Sequence, residues 1–183
     1  MRVMGIDPGT LTSGYGIVAE EDHKLFHVVS GGISPSAKQP FPKRLKKIYE
    51  ELGKIIHQYR PQVIVVEDLF VSKNIKSALK LGHARGVALL AAMNAGVPVF
   101  EYSPLEVKQA VVGNGKAEKK QVQFMVKTVL ELQKVPHPAD AADALAAAIC
   151  HIHSSRLREI IRNPSSLRQI NRGSGYRGTG KIR

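Results

Sequence analysis

Four acidic residues, Asp7, Glu67, Asp140 and Asp143, stand where carboxylates can do chemistry together. Asp7 closes the short apolar run Val3-Met4-Gly5-Ile6 and opens the turn Asp7-Pro8-Gly9-Thr10. Glu67 closes the β-branched run Val63-Ile64-Val65-Val66, which reads as a fully buried strand. Asp140 and Asp143 are three apart in an alanine-rich segment, a spacing that puts both on one helix face, Cβ atoms roughly 5–6 Å apart. Ligands of α/β sheets collect outside the carboxyl ends of the strands. If the strands ending in Asp7 and Glu67 are parallel neighbours, their carboxylates emerge side by side. Carboxylates so clustered repel one another and hold protons unless a counter-charge arrives. Hard oxygen donors with open positions suit Mg²⁺ or Mn²⁺, and two such ions make a phosphoryl-transfer site. Helix capping accounts for Asp140 alone at least as well. Asp143 lies further in, where Asp is a poor helix former, and calls for another reason.

An acidic pocket is at odds with the rest of the chain. The 183 residues carry 27 Lys+Arg against 15 Asp+Glu, a formal net charge of +12. Bare carboxylates repel phosphate, so a metal-filled pocket resolves the conflict. The positive balance points to an acidic partner, nucleic acid first, although solubility alone explains such a charge equally well. Of the +12, +7 lies in residues 154–183. From Asn163 onward the chain is Pro, Ser, Gly, Asn and Arg with few large apolar residues, and reads as a disordered basic tail able to touch phosphates. The expected organisation is one folded domain over 1–156 and a basic tail over 157–183. Length and a hydrophobic content of 43% suit a single folded core. No apolar run approaches the roughly 18 residues of a membrane span, and the acid and glycines at the start exclude a signal peptide. Cys150 is the only cysteine, so an internal disulfide and a cysteine-based zinc site are both excluded. A cytoplasmic protein is expected.

The elements that must position the acids follow from periodicity. Residues 3–6, 14–18 and 25–29 read as three short strands in an antiparallel meander. Leu45, Ile48, Leu52, Ile55, Ile56 and Tyr59 recur at helical spacing until Pro61 stops them. After the strand 63–66, Asn74 is a plausible N-cap for an apolar helix to about Ala95. Gly82 and Gly86 inside it predict close packing of that face. A fifth strand over 98–102 leads to Ser103-Pro104, a helix start. Gly113-Asn114-Gly115 breaks that helix, another begins near Glu118, and the last runs from Ala139 to Arg156. A meander followed by strands that each come after a helix predicts a mixed α/β sheet.

These segments together carry a resemblance. Gly5-Ile6-Asp7-Pro8-Gly9-Thr10, Val65-Val66-Glu67, Ala84-Arg85-Gly86-Val87, the stretch from Val107 to Gly115 with Ala117-Glu118-Lys119, and Asp140-Ala141-Ala142-Asp143-Ala144-Leu145-Ala146 occur in one order. Over residues 1–156 the chain resembles the RuvC family of bacterial Holliday-junction resolvases. The resemblance implies a ribonuclease H-like fold, a mixed five-stranded sheet with helices on both faces. It implies a homodimer, Mg²⁺-dependent nicking of four-way DNA junctions that leaves 5′-phosphate ends, two ions per subunit with Mn²⁺ able to substitute, and action beside the RuvA–RuvB branch-migration machine. It places Asp7, Glu67, Asp140 and Asp143 in the acidic site as metal ligands. Some members carry His at the position of Asp140; this chain keeps Asp there, so its site is wholly carboxylate. Lys108 and Lys119 match basic positions near the scissile phosphate, where chance solvated lysines would otherwise be the simpler reading. Phe70 matches an aromatic that meets unpaired bases; without the resemblance, a Phe after a buried strand reads as core, although Leu69-Phe70-Val71-Ser72-Lys73 has the mixed character of a stacking surface.

Rival readings remain at this stage. Asp-Pro-Gly-Thr also resembles the phosphate loop of sugar kinases and actin-like ATPases, which need two such domains. A ribonuclease H-like enzyme acting on RNA or RNA–DNA hybrids is the nearer rival, and a non-catalytic junction-binding module a third. His151 and His153 point to different helix faces and make a poor metal pair; His137 reads as a loop residue and Cys150 as core. The helix 74–95 is the candidate dimer face.

Overall fold

The computed structural model describes residues 1–68 and 74–162. Five strands form one sheet: β1 (Arg2–Asp7), β2 (Ser13–Glu21), β3 (Lys24–Ile33), β4 (Val63–Glu67) and β5 (Val99–Tyr102), in the order β3-β2-β1-β4-β5. The meander β1–β2–β3 is antiparallel, and β1–β4 and β4–β5 are parallel. This is the mixed α/β sheet expected, with longer strands in the meander. The polar residues flanking Asp22 and His23, both at positive φ, continue the pairing to the hairpin tip, where no apolar alternation signals it.

Helices cover both faces. Helices α1 (Phe41–Tyr59) and α2 (Ile75–Asn94) pack with Met4, Ile6, Ile17, Ile64 and Val66. On the other face α3 (Pro104–Val112), α4 (Lys119–Val129) and α5 (Ala139–Arg162) pack with Val3, Val18 and Val65. Helix starts follow local chemistry: Asn74 Oδ1 accepts from the Ser77 N–H at 3.2 Å, and Ser103 with Glu106 completes a capping box. Strand side chains alternate. Ile6 and Val66 therefore face α1 and α2, while Asp7 and Glu67, one residue on, face α5.

Helix α5 lies on β1 and β2 almost backbone to backbone. A Cβ on Gly5 would come 1.8 Å from the Ala144 carbonyl oxygen, and one on Gly14 2.0 Å from that of Asp140. Ala141, Ala142, Ala144, Ala146, Ala147 and Ala148 are buried on the helix side. Small residues on both partners let the helix press onto the sheet.

One expectation is corrected. A Cβ at Gly82 or Gly86 would meet nothing within 4 Å among the described residues, so that face of α2 is open to them rather than closely packed. Helix α5 also continues through residues 157–162, beyond the expected stop at Arg156. Phe70 and residues 163–183, where the base-stacking aromatic and most of the basic tail were expected, lie outside the described residues. No helix among the described residues is long and apolar enough to cross a membrane.

Candidate active site

Ile6 and Val66 are register partners in the parallel pair, so Asp7 and Glu67 leave adjacent strands at the same level. Asp7, Glu67 and Asp143 line one cavity of about 330 Å³ together with Lys108, Lys119, Pro104, Val107, Val122 and Ala146. Each side chain arrives from a different element: Lys108 from α3, Lys119 from the first turn of α4, Asp143 from α5. Asp140, in the first turn of α5, is not part of that lining, but its charge acts on Asp7 and on Asp143.

The electrostatics show what the cluster lacks. Burial, then the charges of Glu67, Asp143 and Asp140, push the Asp7 carboxyl up to about 8. Burial and Asp143 push Glu67 up to about 7, against the pull of Lys119 and Lys108. Asp143 is also raised by burial, despite a 2.5 Å contact between its Oδ2 and Lys119 Nζ. Burial pulls Lys119 down, but its hydrogen bond to Asp143 and the surrounding acids outweigh that and hold it above the ordinary lysine value. The ammonium groups of Lys119 and Lys108 are too little positive charge for these carboxylates, since Asp7, Glu67 and Asp143 all remain raised. The side chains are gathered but not closed: among the described residues no three His, Cys, Asp or Glu side chains converge enough to enclose an ion. The donor set still fits a hard divalent cation, being all carboxylate and short of positive charge.

The loop after Asp7 is tied down by residues that sequence reasoning did not single out. The Ser13 hydroxyl donates to the Gly9 carbonyl at 2.7 Å and accepts from the Gly9 N–H at 3.2 Å. Arg44, on α1, donates through its NH2 group to the Thr10 carbonyl. A Cβ on Gly9 would fall 1.9 Å from the Thr12 carbonyl oxygen, so the loop closes only on glycine. On the far side of Glu67, Arg85 of α2 pairs with Asp68 and Glu101. Ser13 and Arg44 carry no motif, and although Arg85 lies in the segment Ala84-Arg85-Gly86-Val87, nothing in the sequence says what it meets.

The residues set aside as bland behave so. Cys150 is 1% exposed, and burial pushes its thiol up to about 11. His151 is buried, with Nδ1 3.1 Å from the Tyr102 hydroxyl and Nε2 3.2 Å from that of Ser155. His153 Nδ1 lies 3.1 Å from the Ala110 carbonyl.

A sheet of this order, with acids at the ends of β1 and β4 and on the helix across them, is the architecture of ribonuclease H-like enzymes. Comparison with known proteins narrows the class. The family model "Crossover junction endodeoxyribonuclease RuvC" matches residues 3–151, and the chain belongs to that family. The relative from Citrifermentans bemidjiense is 52% identical over 163 residues, which cover 89% of this chain and 99% of that one. The Caldanaerobacter subterraneus relative is 51% identical over 159 residues, 87% of this chain and 96% of that one. Both are crossover junction endodeoxyribonucleases. The structure of Thermus thermophilus RuvC in complex with Holliday junction substrate superposes with a TM-score of 0.79 at 36% identity, over 86% of this chain and 96% of that one. The yeast mitochondrial resolvase Ydc2, at 13% identity and a TM-score of 0.61, shares the fold.

Proposed function

We propose that this chain, as a homodimer, resolves four-way DNA junctions by two symmetric nicks, one from each subunit's acidic site. The observation that carries the reading is the meeting of Asp7, Glu67 and Asp143 with Lys108 and Lys119 in one cavity. Asp7, Glu67, Asp140 and Asp143 would hold two Mg²⁺ ions, with Mn²⁺ able to substitute; bound there, such ions activate water and stabilise the leaving oxygen. Lys119 partly balances the acids and, with Lys108, draws the scissile phosphate toward them. Cleavage leaves a 5′-phosphate and a 3′-hydroxyl. Phe70 stacks on unpaired bases at the crossover, and the basic residues 163–183 add affinity through phosphates.

The open face of α2 suits a second copy. Ile75, Leu79, Leu90 and Met93 are 75%, 60%, 53% and 64% exposed, and Gly82 and Gly86 stand between them on one helical stripe. Two copies crossing there give two sites related by a two-fold axis, as an opened junction requires. The dimer works in the cytoplasm beside the RuvA–RuvB machine.

The test is divalent-dependent nicking of a synthetic four-way junction against duplex DNA and an RNA–DNA hybrid, with nicks mapped. Nicking of the hybrid alone overturns the reading. A mixed dimer with one Asp7→Asn subunit should cut one strand per binding event; paired cuts would refute one site per subunit.

A further inference from the structure

Arg85 occupies a place that neither the acidic site nor the open stripe of α2 accounts for. It sits on the flank of that stripe, only 17% of its side chain is exposed, and its NH2 lies 2.8 Å from Glu101 Oε2 and 3.2 Å from Asp68 Oδ1. Asp68 immediately follows Glu67. Its N–H donates to the Tyr102 carbonyl at 2.8 Å, extending the β4–β5 ladder one residue past Glu67. Asp68 and Glu101 project toward α2, and Glu67 between them projects to the opposite face, into the acidic cavity. Arg85 therefore grips both strands from below, at the level from which Glu67 rises above.

Asp68 and Glu101 are diagonal neighbours on one face of the parallel pair, Glu101 standing in register with Val66, and without the guanidinium the cation between them is lost. Like charges so placed destabilise the pairing. The separation would act at the last paired residues of β4, where a small change in strand direction is transmitted to the Glu67 carboxylate. Arg85 meets both acids through one nitrogen, Nη2, so a lysine keeps the charge but loses the rigid plane that holds that nitrogen between them.

We propose that Arg85 is a positioning residue for Glu67: by clamping Asp68 to Glu101 it sets the angle at which Glu67 enters the acidic cavity. This rests on the reading of Asp7, Glu67, Asp140 and Asp143 as a divalent-metal site. Arg85 touches neither the cavity lining nor, on this reading, the DNA.

The experiment uses the full chain and its Arg85→Ala, Arg85→Lys and Arg85→Ala/Glu101→Gln variants, with Asp7→Asn as control. Metal binding is read from the rise in melting temperature on adding Mg²⁺, junction affinity without divalent ions, and cleavage in single turnover. Arg85→Ala should raise the Mg²⁺ concentration needed for half the thermal shift about tenfold and slow cleavage at least tenfold. Junction affinity should stay within twofold. Arg85→Lys should fall between. In the double variant the carboxylate diagonal to Asp68 is gone, so Mg²⁺ binding and cleavage should partly recover. An unchanged Mg²⁺ requirement in a folded Arg85→Ala protein overturns the proposal. So does a loss of junction affinity that accounts for the whole defect, which would make Arg85 a DNA contact. A double variant no better than Arg85→Ala also overturns it, whether or not that single variant is less stable. Cleavage by Asp7→Asn would instead overturn the metal-site reading beneath it.

Discussion

Replacing Asp7 by Asn should make the metal-free protein more stable while abolishing cleavage. In the folded chain the Asp7 carboxyl is raised from 3.8 to about 8, by burial first and by Glu67, Asp143 and Asp140 after it. Between those two values the folded state holds a proton that the unfolded state has released. Stability in the absence of metal therefore falls as pH rises through that window. At about 1.4 kcal/mol per pH unit, the deficit at pH 7 has a ceiling of about 4 kcal/mol. An asparagine carries no charge to desolvate, but its buried amide still needs partners, which returns about 1–3 kcal/mol of that gain. The net expectation is a stabilisation of at most about 1–3 kcal/mol, or about 2–12 °C in Tm for a domain of this size. The assay is thermal and urea unfolding of both proteins in EDTA at pH 7 and at pH 3.5. The variant should be the more stable at pH 7; at pH 3.5, where the wild-type carboxyl is largely protonated in both states, the electrostatic gain is gone and the variant should be the less stable by its amide cost of about 1–3 kcal/mol. Mg²⁺ should then raise the wild-type Tm more than that of the variant, because ligand binding stabilises only the site that holds it. A variant less stable than wild type in EDTA at pH 7, or a gap that does not change with pH, would refute the electrostatic argument.

Other perturbations give sharp outcomes. Gly5→Ala places a Cβ 1.8 Å from the Ala144 carbonyl oxygen, so α5 must shift; a stability loss of about 1–3 kcal/mol and strongly reduced cleavage are expected in unfolding and junction-nicking assays. Lys119→Ala removes the ammonium on Asp143, and should slow cleavage at least tenfold while weakening junction binding in a salt-dependent way, checked by titration across ionic strength. Burial, then the nearby Arg158, hold His151 down at about 4, against 6.5 for a free histidine. The unfolded state therefore takes up the proton first as pH drops from 6.5 toward 4, and that contribution, at most about 3 kcal/mol, is lost in this window. His151→Gln should flatten the difference between urea midpoints at pH 7 and pH 4.5.

Much of the site was legible because the features that make it are local. A β-branched run ending in Glu67 declares both a buried strand and the place where its chain end meets solvent. Alanines around Asp140 and Asp143 declare a helix pressed on a sheet, and the β1–β4 register then brings Asp7 beside Glu67. What stayed hidden depends on partners distant in sequence. Arg44 and Arg85 are two among 27 Lys+Arg, and only the folded chain shows that one meets Thr10 and the other Asp68 and Glu101. Gly82 and Gly86 signal a close approach without saying whose backbone approaches, and among the described residues none does. Asp140 and Asp143 share a helix face, yet only Asp143 lines the cavity, Asp140 sitting in the first turn of α5.

The placement of α5 has a consequence for synthesis. The helix that completes the acidic cavity is the last element of the described chain, and Asp143 meets a group 136 residues behind it. Until residues 139–162 have emerged, one face of the sheet lacks its main cover and the nuclease lacks two of its acids. Such distant closure is slow compared with local helix formation. On the proposed reading of the acidic site, a chain that lacks these residues cannot cut. Incomplete chains also expose the apolar face that α5 would bury, the feature by which quality control recognises unfinished protein. Order of emergence thus works as a safety catch: the capacity to cut appears only with the finished fold.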